Sequence, residues 1–155
     1  MLALVAANAA EENADFSTIL EGVRNAMTRV TCTSLLDTLE YLQKGGRIGK
    51  AQALVGTLLN FKPMIEVVDG AVAPYARPRS RKKGIDRLVE RALELAPVER
   101  LAILYSTTED DALQLGNRLS DLLGVEAIVS RYGPGLGTHV GPGALGIAVL
   151  TSAGK

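Results

Sequence analysis

The chain has one histidine, His139, in the stretch "YGPGLGTHVGPGALGIAV", where six glycines and two prolines fall between Gly133 and Gly146. Glycines let a backbone turn sharply and approach a ligand without side chains in the way. Successive backbone amides in such a segment can converge on an anion. Gly137, Thr138 and His139 then offer amides, a hydroxyl and an imidazole in three consecutive positions. That set suits the oxygens of a carboxylate or a phosphate. No Gly-Lys-Ser/Thr follows, so this is not a Walker loop, and a strand pattern rather than a helix pattern comes next, which argues against a dinucleotide fingerprint. The other reading is an ordered turn whose histidine caps a strand end.

His139 has no second histidine to work with and no carboxylate within twelve residues in sequence. A metal site or a nucleophile–histidine dyad therefore has little support, and a donor to a bound anion is the economical role. Two basic segments add to this. In "QKGGRIGKAQ", Arg47 and Lys50 lead into a new helix whose N-terminus carries partial positive charge. The segment suits an anion or an acidic partner, or is a helix–loop–helix turn with solvated cations. In "ARPRSRKK", five of the seven residues from Arg77 to Lys83 are cationic. The run is either a solvated face or a patch through which Arg79, Arg81 and Lys82 dock an acidic protein or an anionic membrane surface. It carries no interleaved aromatics, which argues against single-stranded nucleic acid.

The elements that must position these residues are legible in outline. "LALVAANAAE" has one apolar helical face, and Asp15 caps a second helix with Phe16, Ile19, Leu20, Val23 and Met27 at helical spacing. "RVTCTSLL" is β-rich, with Cys32 a small core residue. Ser34 then opens a helix over "SLLDTLEYLQKGG", with Asp37 in a capping-box position, Leu35, Leu39 and Leu42 as its stripe, a Glu40–Lys44 pair, and Gly45 as its stop. "KAQALVGTLLN" continues as helix. Asp69-Gly70 marks a tight hairpin turn. A helix from "SRKKGIDRLVERALELA", a β-α-β unit and a closing strand "ALGIAVLT" complete the order. This predicts an α+β domain, one mixed sheet with helices packed mainly on one face.

Composition narrows the function classes. Seventeen basic and seventeen acidic side chains cancel, which argues against a general nucleic-acid binder. Cys32 is alone, so no internal disulfide forms, and a reducing, cytoplasmic setting is expected. Ala7-Asn8-Ala9 looks like a cleavage signal, but no cation precedes it and the apolar run is short. No stretch approaches the ~20 apolar residues of a membrane span. A small acyl- or phosphoryl-transfer enzyme with the glycine segment as anion cradle is the enzymatic alternative. It lacks a nucleophile–base pair and a carboxylate cluster for a metal.

Taken together, "LDTLEYLQKGGRIGKAQALVGTLLNFKPMIEVVDG", "RPRSRKKGIDRLVE" and "GPGLGTHVGPGALGIAV" resemble the DegV family of bacterial fatty-acid-binding proteins, from about Leu2 to Leu150. The resemblance implies a carrier, not an enzyme: a long-chain fatty acid with its tail buried and its carboxylate hydrogen-bonded, and no other cofactor. It also implies presentation of that carboxylate to a fatty-acid kinase for phospholipid synthesis. In the family pattern the histidine of Gly-Thr-His helps hold the carboxylate, which falls on His139 with Thr138 beside it. The arginine of Gly-Gly-Arg-Ile falls on Arg47, near the pocket or the partner face. The leucines at Leu35–Leu42 and Leu54–Leu59 are candidate pocket walls. The match is to the second of the family's two domains, so residues 1–155 read as a single domain. The family's N-terminal α/β domain, which supplies Ser/Thr ligands to the carboxylate, is not represented.

Overall fold

The computed structural model describes residues 1–54 and 61–153. Helices α1 (Leu2–Glu11) and α2 (Phe16–Met27) pack on one another as a hairpin. Asp15 caps α2, its carboxylate accepting from the Thr18 N–H at 2.8 Å. The apolar stripe of α2 is only partly covered. Ile19, Leu20 and Val23 are half-buried, whereas Phe16 and Met27 are exposed. Arg29 ties the hairpin to the sheet, donating to Glu99 and to the Thr151 carbonyl.

Strand β1 (Val30–Leu35) follows, and here one sequence expectation gives way. Ser34 does not open a helix: it sits in the strand, paired with Ile65 on one side and Gly146 on the other. A ladder on both edges outweighs the local helical pattern. Helix α3 is therefore only Glu40–Lys44, with Thr38 Oγ1 accepting from the Glu40 N–H. Asp37 pairs with Lys62 at 2.8 Å instead of closing a capping box. The Glu40–Lys44 pair forms as expected, at 2.6 Å. A 3₁₀ turn over Gly49–Leu54 follows. It takes the place of the start of the helix expected over "KAQALVGTLLN"; the rest of that helix, with Val55, Leu58 and Leu59, lies outside the described residues.

Strands β2 (Met64–Val68) and β3 (Ala71–Ala76) form the predicted hairpin, with Asp69 and Gly70 at φ of 51° and 75°. Helix α4 (Arg81–Glu94) is capped by Ser80, and β4 (Val98–Tyr105), α5 (Glu109–Leu123) and β5 (Ala127–Arg131) make the expected parallel β-α-β unit. A second expectation fails next. The glycine-rich stretch is not an open loop but a short helix, α6 (Pro134–Val140), and only then does β6 (Leu145–Thr151) begin. Pro134 favours that helix, because its fixed φ suits a first turn and its missing N–H would have had no partner there.

Among the described residues the strands form one mixed six-stranded sheet, ordered β3-β2-β1-β6-β4-β5. This is the predicted α+β architecture. Alternation along the strands sends Leu35, Leu101, Ile103, Leu145, Ile147 and Val149 to the face covered by α4 and α5, where Leu88, Val89, Leu115 and Leu119 meet them. The predicted stripe Leu35–Leu39–Leu42 is split. Leu35 joins that core, while Leu39 and Leu42 join a second cluster with Leu36, Ile65, Tyr132, Val140 and Ala144. That second cluster gathers where β1 ends and β6 begins. Among the described residues no helix is long and apolar enough to cross a membrane.

Candidate functional site

The site is built on the second cluster, at the end of the sheet away from the α1–α2 hairpin. Here α6 turns into β6 through Gly141 and Gly143, at φ of 74° and 76°, a region that favours glycine. The turn is laced to the end of β4. Gly143 N–H donates to Thr107 Oγ1 at 3.0 Å and Ala144 N–H to Ser106 Oγ at 2.9 Å. Arg81 then locks the corner, donating to the Gly143 carbonyl at 2.7 Å, to Thr108 Oγ1 at 2.9 Å and to the Asp111 carboxylate at 2.6 Å. Asp37 lies 3.7 Å from the same guanidinium. Arg81 is thus committed inside the fold, which departs from its expected place in a free docking patch. Its guanidinium fork reaches three acceptors at once, so a single cation can hold α5 to the glycine turn. Arg79 and Lys82 on either side are exposed.

Beside the turn lies a cavity of about 700 Å³. Tyr41, Ser106, Thr107, Arg131, Tyr132 and Pro142 line it, and α6 contributes Gly137 and Thr138. Arg131 is held by Nε donating to the Ser106 carbonyl at 2.9 Å, which fixes a cation at its wall. Tyr132 is buried, with its hydroxyl 3.1 Å from Ser34 Oγ. Burial pushes that phenol up to about 12, against a smaller opposing pull from the Ser34 hydrogen bond. Cys32 shares the Ser34 side of β1, and burial raises its thiol, so it stays protonated near neutral pH.

The predicted anion-binding triplet divides. The Gly137 amide donates to the Gly133 carbonyl at 2.8 Å, inside α6, so it is not part of an open amide cradle. The Thr138 hydroxyl donates to the Gly135 carbonyl at 3.1 Å, although the residue itself is exposed. His139 does not line the cavity. It is half-buried and faces the end of α3, where a Cβ placed on Gly45 would overlap its Nδ1. That Nδ1 is buried and has no hydrogen-bond partner, the one such side-chain atom among the described residues. Arg47 reaches the same place from the other side, its Nη1 donating to the Gly45 carbonyl at 3.2 Å. The fold therefore brings Arg47 and His139 to one residue, and sets Gly137 and Thr138 on the neighbouring cavity. Sequence reading missed Tyr41, Ser106, Thr107, Arg131 and Tyr132 as cavity residues. They sit at strand ends and in a short helix, where no spacing rule marks them.

The family description "Uncharacterised protein, DegV family" matches residues 1–152. The chain belongs to the DegV family. A DegV domain-containing protein of Streptomyces coelicolor is 39% identical over 155 residues, a match covering 95% of this chain and 54% of that protein. A solved DegV-family protein from Thermus thermophilus, described by its fatty-acid binding, superposes with a TM-score of 0.90 at 32% identity, covering 98% of this chain and 56% of its own. DegV of Bacillus subtilis, described as a fatty-acid-binding protein, superposes with a TM-score of 0.79 at 33% identity, covering 96% and 55%. The chain spans about half the length of the DegV relatives it matches.

Proposed function

We propose that this chain is a carrier domain for a long-chain fatty acid, with apolar side chains around the tail and His139 at the carboxylate. The observation that carries this reading is the place of the only imidazole, half-buried on α6 beside the cavity with its Nδ1 edge packed against Gly45, where Arg47 is also anchored, in a DegV fold whose solved members include fatty-acid binders. With the Nδ1 edge buried, it is the opposite edge of the ring that is left to meet a ligand. The apolar tail supplies most of the affinity, on the order of 12 kcal/mol gross for a sixteen-carbon chain at about 0.8 kcal/mol per methylene, before the costs of binding. The head group then selects an ionised acid over neutral lipid.

Within this reading the residues take graded parts. His139 is the donor, and Arg47, anchored at Gly45, supplies positive charge nearby. Thr138 donates to Gly135 in this structure, so its hydroxyl serves the ligand as a donor only after rotating. Arg79 and Lys82 form a small exposed cationic patch for a fatty-acid kinase or, transiently, an anionic membrane surface. A second domain, of the kind the family resemblance implies, would complete the carboxylate site with hydroxyl ligands. The protein works as a cytoplasmic carrier feeding phospholipid synthesis, not as an enzyme.

Calorimetric titration of the chain with stearic acid tests the reading. One site is expected, and His139→Ala should weaken it about ten-fold or more, the worth of one charge-assisted hydrogen bond, with circular dichroism unchanged. No binding, or the same affinity without the imidazole, would overturn the assignment.

A further inference from the structure

Gly45 and Gly46 follow α3 side by side, yet the backbone needs only one of them. Gly46 has φ +64°, where glycine avoids the steric cost that a side chain brings. Gly45 has φ −80° and ψ −1°, a conformation open to any residue. Nothing in the path of the chain requires glycine at position 45. What does require it is the imidazole: a Cβ there would overlap His139 Nδ1 and lie 2.7 Å from Cε1, closer than side-chain atoms pack. The next atom it would meet, the Tyr41 carbonyl oxygen at 3.1 Å, is also tight but needs to give by only a few tenths of an ångström, whereas the ring overlap cannot be relieved that way.

We infer that Gly45 is a positioning residue for His139. Its missing side chain lets the ring lie flush against the end of α3, and so fixes which edge is buried and which is turned outward. The ring is rigid and short-stemmed, so a methyl group at 45 cannot be passed by a small bend of a flexible tip. The whole imidazole has to rotate. Arg47 is coupled to the same point, because its guanidinium donates to the Gly45 carbonyl. A shift at 45 therefore disturbs both residues at once. This inference rests on the reading of His139 as the carboxylate donor only for its effect on affinity; the placement of the ring stands apart from it.

The test is Gly45→Ala in the full chain, read by the nitrogen and ring-proton resonances of His139 and by stearic acid titration. The imidazole resonances are expected to move, affinity to fall about ten-fold, and the Gly45→Ala/His139→Ala double variant to bind no worse than His139→Ala alone. Native resonances in Gly45→Ala, or affinity losses that simply add, would overturn the inference. If Gly45→Ala alone does not fold, the double variant must recover the fold, since removing the ring removes the overlap; two unfolded variants would sink the idea. A wild-type chain that binds no stearic acid would defeat the carrier reading, and the resonances would still judge Gly45.

Discussion

The two apolar clusters of this domain are built differently. Whole elements make the first: α4 supplies Leu88, Val89 and Ala92, α5 supplies Ala112, Leu115 and Leu119, and the strands meet them at every second residue. Short pieces make the second. The five-residue α3 gives it one buried leucine, Leu42, and the seven-residue α6 gives it Val140. Polar links from Ser106, Thr107 and Arg81 do there what repeated packing does on the other face. A region held by turns and a few polar bonds opens more readily than one held by periodic burial. The candidate site residues stand on this less periodic side.

Substitutions can break or sharpen that contrast. Leu115→Ala, in the fully buried part of α5, should lower global stability by about 2–5 kcal/mol in denaturant unfolding. The same truncation at Leu42 should cost less globally but raise hydrogen exchange around α3 and α6 selectively. Equal and uniform losses from both would erase the distinction between the clusters. Alkaline pH offers the next largest effect. Tyr132 titrates near 12 when folded and near its ordinary 10 when unfolded, so the unfolded chain loses this proton first as pH rises. Its contribution is intact below pH 10 and is lost between pH 10 and 12, roughly 2–3 kcal/mol at about 1.36 kcal/mol per unit. Tyr132→Phe should flatten the stability profile in that window.

Arg81→Ala should cost about 1–3 kcal/mol, because it leaves the Gly143 carbonyl and the Asp111 carboxylate without their partner. Hydrogen exchange should rise at Gly143 and Ala144 before it rises in β4. An unchanged exchange rate there would show that the corner does not depend on the clamp. The smallest effect belongs to Lys44→Ala. Its pair with Glu40 is solvent-exposed, and no measurable change in midpoint is expected.

The same contrast explains what could be read from the sequence. The periodic parts were legible: the α4 helix, the Asp69-Gly70 hairpin, the β-α-β unit and the closing strand all carry their pattern locally. Ser34 was misread because its strand is fixed by partners thirty and more residues away, β2 and β6, which local spacing does not reveal. The glycine-rich stretch was misread because glycines lower helix propensity, yet Pro134 and the packing of Val140 suffice for two turns of α6. His139 was singled out by its rarity and its setting. Its neighbour Gly45 was read only as a helix stop, since a glycine needed for contact looks in sequence like one needed for a turn. Arg81 was read as one of a run of surface cations, and only the fold separates it from Arg79 and Lys82.

The carrier reading requires the imidazole to touch a lipid carboxylate. The most direct measurement is the magnetic resonance signal of stearic acid, isotope-labelled at its carboxyl carbon and bound to this chain, compared between wild type and His139→Ala. A distinct bound carboxyl signal that moves or vanishes with the imidazole is the predicted result. A bound signal identical in the two proteins would place the head group elsewhere and contradict the assignment of His139.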